Sequence, residues 1–199
     1  VGKSYLIDHI FLNQLSIERD STNCHKIVFH PEYSYGDFIG KLLPLSVGKQ
    51  VTYEFYEGHF LYALSVAYQN ILKDKENPEN VILVIDEINR GNAIAIFGSI
   101  FQLLDREDDG WSSYEVNLSK MEYRKLLELI DIKYSDGKFR VGEKLARNIN
   151  EFSRDGYDEE REAEQKQLYE QVLKPIKLKD RKIRLPPNLS IIATMNTSD

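Results

Sequence analysis

The sequence has little of what marks a secreted, membrane-bound or nucleic-acid-coating chain. Its 199 residues include one cysteine, Cys24, so no intrachain disulfide can form and a reducing cytoplasm is the expected setting. Cys24 itself reads as a small, partly buried residue. No apolar run approaches the ~18 residues that a membrane-crossing helix needs, and no positively charged, apolar leader opens the chain. No membrane association is therefore expected. Positive charge is also in short supply: 26 Lys and Arg face 32 Asp and Glu, for a formal net charge of -6. That excludes coating nucleic acid by bulk charge and leaves room only for a local basic patch. His30 and His59 lack any partner at metal-ligand spacing and read as ordinary polar or packed residues. An initiator methionine is missing as well. The chain opens on Val1-Gly2-Lys3-Ser4 and stops on Asn196-Thr197-Ser198-Asp199, directly after a strand pattern. Both ends are those expected of a piece of a longer protein, since domain boundaries fall in exposed linkers.

What is present suits one globular domain with a sizeable core: 42% hydrophobic and 29% charged residues. Apolar residues at Leu6, Ile7, Ile10, Phe11 and Leu15 have helical spacing. Lys26 to His30 reads as a short strand, and Tyr35 to Leu43 as a short helix stopped before Pro44. Val51 to Tyr56 reads as a strand or hairpin arm, and Gly58 opens a helix through Leu72. Val81 to Ile85 is unbroken and mostly β-branched, as a central parallel strand covered on both faces should be. A helix is expected from about Ala93 to Leu104, with Ile96, Phe97, Ile100, Phe101 and Leu104 on one side. Trp111 to Leu118 reads as a strand, and Leu189 to Thr194 as a second buried one. Strands alternating with helices give an α/β fold with a mostly parallel sheet.

Residues 119–181 differ in character. They are rich in charge, carry the acidic run Asp158-Glu159-Glu160 and a polar helical pattern to about Leu173, and include a hairpin-like Tyr134 to Phe139 centred on Asp-Gly. This stretch is expected to be a largely helical insertion with a solvated face, between core segments 1–118 and 182–199.

Three short motifs carry chemistry. Gly2-Lys3-Ser4 ahead of a helix matches the end of a P-loop. There, backbone amides cradle phosphates at a helix N-terminus, the lysine reaches the β- and γ-phosphates and the serine hydroxyl binds Mg²⁺. Alone it is a weak signal. Asp86 and Glu87 end the apolar strand, where open α/β sheets bind ligands. Asp86 is placed to hold the Mg²⁺ shell, and Glu87 to orient or deprotonate an attacking water. Asn196 follows the second buried strand, where an amide can sit between Asp86 and a γ-phosphate and help to position the water. Asn89 and Arg90 admit two readings, a subunit-interface or γ-phosphate role or a structural turn with Asn92 capping the next helix.

With these motifs in this order, the chain resembles AAA+ proteins. Gly2-Lys3-Ser4 is similar to the end of Walker A, Val81 to Glu87 to the Walker B strand and Asn196 to the sensor 1 position. Within that group, Asp86-Glu87-Ile88-Asn89-Arg90 paired with Met195-Asn196-Thr197-Ser198-Asp199 resembles the McrB family, motor subunits of modification-dependent restriction systems. Phe29 to Ile39 adds to the likeness. The resemblance implies a three-layer AAA+ core and a Mg²⁺-dependent ring-forming NTPase that uses ATP or GTP. It also implies a McrC-type nuclease subunit as partner, with DNA engaged through regions outside these residues. Two other classes compete: a MoxR- or dynein-like ATPase that remodels protein complexes, and a non-enzymatic module that binds nucleotide to hold a ring together. The intact Lys3, Asp86, Glu87 and Asn196 weigh against the last.

Overall fold

The computed structural model describes residues 2, 5–7, 9, 14–48, 50–135, 138–141, 166 and 169–196. At its centre is a three-stranded parallel sheet of β1 (Cys24–Val28), β4 (Val81–Asp86) and β9 (Leu189–Ala193), in the order β1-β4-β9. The register pairs Ile27 with Ile85 on one side of β4 and Ile85 with Ala193 on the other. The fold is thus α/β with a parallel sheet. β4 is buried from Val81 to Ile85. Val81, Leu83 and Ile85 join the large hydrophobic cluster on one face, while Ile82 and Val84 pack with Ile7 and Ile17 on the other. Each such side chain contributes about 1.5–3 kcal/mol on burial, which is why an unbroken apolar run occupies the central position.

Helix α2 (His59–Lys73) covers the large-cluster face with Phe60, Leu64, Ala67, Tyr68 and Ile71. Gly58 caps it and gives its N–H to Ile39 O at 2.8 Å. The chain passes so close here that a Cβ on Gly58 would lie 2.3 Å from the Phe38 carbonyl carbon. The buried Tyr68 hydroxyl donates to Arg184 O at 2.6 Å, tying α2 to the segment before β9.

The helix expected over Tyr35 to Leu43 is shorter than its sequence suggests. Only α1 (Tyr35–Phe38) is helical, with Ser34 and Asp37 forming a capping box. The chain then enters β2 (Gly40–Val47), which pairs antiparallel with β3 (Gln50–Glu57). Pro44 lies inside β2, opposite Tyr53. A proline is tolerated because, among the described residues, this sheet has two strands, so each is an edge and no third strand needs the missing N–H.

The expected helix from Ala93 to Leu104 is also divided. α3 (Ala93–Phe97) starts on the Asn92 side chain, which accepts from Ala95 N at 3.1 Å, and ends at Gly98 with φ 52°. A 3₁₀ segment, Gly98–Leu104, continues the chain. Its three-residue period turns Phe97, Ile100 and Leu103 inward and leaves Phe101 and Leu104 exposed, where a 3.6-residue period would have buried Leu104.

Strand β1 begins two residues earlier than Lys26 to His30 suggests, and Phe29 N still donates to Asp86 O at 2.9 Å. Of the strand expected from Trp111 to Leu118, Ser112 makes an isolated bridge to Arg106, and β5 (Val116–Asn117) pairs with β8 (Lys182–Ile183). Between them, α4 (Lys120–Leu129) is capped by a Ser119–Glu122 box, and β6 (Ile132–Ser135) pairs with β7 (Lys138–Val141) as a hairpin. Leu126, Leu127, Ile130 and Ile132 join the same large cluster as α2. Tyr169–Leu173 forms a π-helical turn with Val172 buried. The acidic run at 158–160 and most of the polar pattern after it lie outside the described residues.

Arg106 closes the structure around β9. Its guanidinium donates to the carbonyls of Gly110, Leu185, Pro186 and Leu189 at 2.9–3.1 Å. Desolvation of the guanidinium among these carbonyls lowers its pKa.

Candidate functional site

The candidate residues gather at the carboxyl ends of β4 and β9. Asp86 is the last residue of β4, half-buried, and its Oδ1 accepts a 2.9 Å hydrogen bond from the Thr194 hydroxyl. Thr194 directly follows β9. Its N–H donates to Ile85 O at 2.8 Å, its carbonyl accepts from Ile88 N at 2.9 Å and its Oγ1 accepts from Glu87 N at 3.4 Å. This single residue laces the ends of the two strands together.

Glu87 turns sharply out of β4, with φ 57° and ψ 45°. A left-handed conformation outside glycine costs roughly 1–3 kcal/mol and persists only where neighbouring bonds hold it. The Thr194 bonds on either side of Glu87 do so here. The Glu87 carboxylate is then taken up by two neighbours. Oε1 accepts from the Asn196 side-chain amide. Oε2 is buried and accepts no hydrogen bond among the described residues, while Arg90 Nε stands 3.3 Å from it as an ion pair. Ile88–Arg90 is a 3₁₀ turn, so Arg90 lies back over Glu87 at i+3. The Asn89 amide reaches across to Asn196 O at 3.0 Å.

Asp86, Glu87, Asn89 and Arg90 therefore share one end of the sheet with Asn196, more than 100 positions away in sequence. Of the N-terminal motif, Gly2 is an exposed helical residue, and Lys3 and Ser4 lie outside the described residues. Thr194 was missed by sequence reasoning, which placed it only at the end of a strand. A hydroxyl at the first position past a parallel strand, next to an acidic strand end, is the signal that would have found it. His30 and His59 lie near this end as well, but they serve packing. His59 Nδ1 meets the Tyr33 hydroxyl at 2.8 Å, and the His30 ring meets Tyr33 edge-on.

A carboxylate and an amide side by side on adjacent strand ends, with a second carboxylate one residue earlier, form an arrangement that can orient a water and accept its proton. Two curated proteins are similar to this chain in sequence. Over 196 aligned residues it is 29% identical to the type II restriction enzyme BsuMI component YdiS of Bacillus subtilis (strain 168), covering 87% of this chain and 42% of that protein. Over 115 residues it is 32% identical to the type IV methyl-directed restriction enzyme EcoKMcrB subunit of Escherichia coli (strain K12), covering 56% and 22%. The chain is McrB-like. It spans less than half the length of either relative. No family model matches it. Among the described residues, no helix of this McrB-like chain is long and apolar enough to cross a membrane.

Proposed function

We propose that this chain is the nucleotide-hydrolysing part of an McrB-like AAA+ motor that acts in DNA restriction. The observation that carries the proposal is the Asn196–Glu87 contact across the carboxyl ends of two adjacent parallel strands. Binding alone does not require a carboxylate held by an amide at that place, whereas water activation does. Glu87 serves as the base or orienting group for the attacking water. Asn196 fixes the carboxylate's direction. Gly2, Lys3 and Ser4 would supply the phosphate cradle.

The residues present fit Mg²⁺. Asp86 gives one oxygen to Thr194, and no other hydrogen bond reaches its carboxylate among the described residues. A hard oxygen donor open on one side suits a cation that takes one or two carboxylates and keeps several waters. Asp86 and Ser4 would hold it, and when bound it neutralises charge on the β- and γ-phosphate oxygens.

The substrate is a nucleoside triphosphate, GTP or ATP, and the working form is a cytoplasmic ring of copies with a McrC-like nuclease subunit. DNA is engaged by parts of the protein outside residues 1–199. The test uses the full-length protein, with and without the product of the neighbouring gene, measuring phosphate release from GTP and from ATP. Glu87→Gln should keep nucleotide affinity and lower turnover by about 10²–10⁴-fold, the range for losing a general base. Normal hydrolysis of both nucleotides by that variant would overturn the assignment.

A further inference from the structure

Thr194 meets the end of β4 through its backbone and, separately, through its side chain. The backbone bonds run from Thr194 N to Ile85 O at 2.8 Å and from Ile88 N to Thr194 O at 2.9 Å. They need no particular side chain, and a valine at this position would keep both. The hydroxyl goes instead to a carboxylate, Asp86 Oδ1, at 2.9 Å. An ionised carboxylate only accepts, so the single hydroxyl proton lies toward Asp86 and a lone pair is left to take the Glu87 N–H at 3.4 Å. The bonds from Glu87 N through Thr194 Oγ1 to Asp86 Oδ1 thus share one direction, in which each polarises the next.

Asp86 Oδ2 receives no hydrogen bond among the described residues. The last torsion of an aspartate is broad and holds its carboxylate only loosely. The Thr194 hydroxyl restricts that torsion by engaging one oxygen with a neutral donor, and it leaves the other oxygen's lone pairs unused. We propose that the Thr194 hydroxyl is a positioning group for the divalent cation, setting the rotation of the Asp86 carboxylate and with it the affinity for Mg²⁺, a role that rests on the Mg²⁺ reading of Asp86 given above. Carboxylates that bind metals are themselves hydrogen-bonded, and losing such a partner typically costs about 10–100-fold in metal affinity. A hydroxyl that only joined two strands would change the melting temperature and leave metal affinity alone.

The test uses the full-length protein and Mn²⁺, a paramagnetic cation that suits the same carboxylate and water ligands as Mg²⁺. Free Mn²⁺ is read by electron paramagnetic resonance with non-hydrolysable GTP and ATP analogues present, well below the melting temperature of every variant. Thr194→Val, and Thr194→Ala as a smaller second variant, should each weaken Mn²⁺ binding by about 10–100-fold, while Thr194→Ser stays within about 3-fold of the parent. Nucleotide affinity in EDTA should be the same for all of them, because the phosphate cradle is untouched. In turnover, the Mg²⁺ concentration for half-maximal rate should rise in the valine and alanine variants, and excess Mg²⁺ should restore most of the rate. Parent-like Mn²⁺ affinity without the hydroxyl, or equal weakening in the valine and serine variants, would overturn the proposal and leave the Mg²⁺ role of Asp86 standing. An Asp86→Ala variant that binds Mn²⁺ as the parent does would remove both. The binding results do not depend on hydrolysis, so normal turnover by Glu87→Gln would overturn the hydrolytic reading alone.

Discussion

Thr194→Val tests whether the two strand ends are joined as described. Valine has nearly the shape of threonine, so packing changes little and the hydroxyl is the main loss. That hydroxyl gives a 2.9 Å bond to the Asp86 carboxylate and receives a 3.4 Å one from Glu87 N. A hydrogen bond to a charged group is worth about 1.5–3 kcal/mol. Asp86 and Thr194 are only half-buried, so water replaces part of what is lost, and the low end of that range applies. The long bond from Glu87 N adds little, and about 2 kcal/mol remains. For a chain of this size each kcal/mol moves Tm by about 2–4 °C, so a drop of about 4–8 °C is expected by scanning calorimetry. Thr194→Ser keeps the hydroxyl and should recover most of the drop. If valine and serine variants melt together, within about a degree of the parent, the hydroxyl does not hold the strand ends and the reasoning fails.

Two further perturbations examine the scaffold. Gly58→Ala should destabilise by more than about 3 kcal/mol, because its Cβ would meet the Phe38 backbone at 2.3 Å rather than a movable side chain. A urea midpoint equal to the parent's would show that the crossing of α2 over α1 is looser than described. The Asp37 carboxyl is held at about 2, below its ordinary 3.8, by the Lys41 ammonium and the Ser34 hydroxyl. A depressed folded-state value adds stability that is complete above pH 4 and is lost as pH falls toward 2. Asp37→Asn should therefore flatten the acid limb of the stability profile, and an unchanged slope between pH 4 and 2 would contradict the pairing.

Parts of this molecule that depend on local pattern are legible in its sequence. β4 is readable because a strand buried on both faces has to be apolar throughout, and α2 because its face repeats at helical spacing. The acidic end of β4 follows from those two facts. Features decided by distant partners are not legible in the same way. Pro44 argues against a strand until it is known that β2 has one neighbour. Gly98 is an ordinary interruption until its positive φ switches the following residues to a period of three. Thr194 and Arg106 look unremarkable because their work is done on residues about 80 to 108 positions away. The gathering of Asp86, Glu87 and Asn196 was inferable from strand topology. The grip of Asn89 on Asn196 was not, since an exposed asparagine after a strand usually turns on its own backbone.

Arg106 has a consequence for how this chain can vary. Its guanidinium fixes the carbonyls of Leu185, Pro186 and Leu189, and β5 pairs with β8 just upstream. β9 thus starts from an anchored post. Residues gained or lost between the paired strands β5 and β8 carry a closure cost that grows only with the logarithm of the chain length between them. They do not shift the β9 register that delivers Asn196 to Glu87. The chemistry can therefore stay in place while the chain length between β5 and β8 varies.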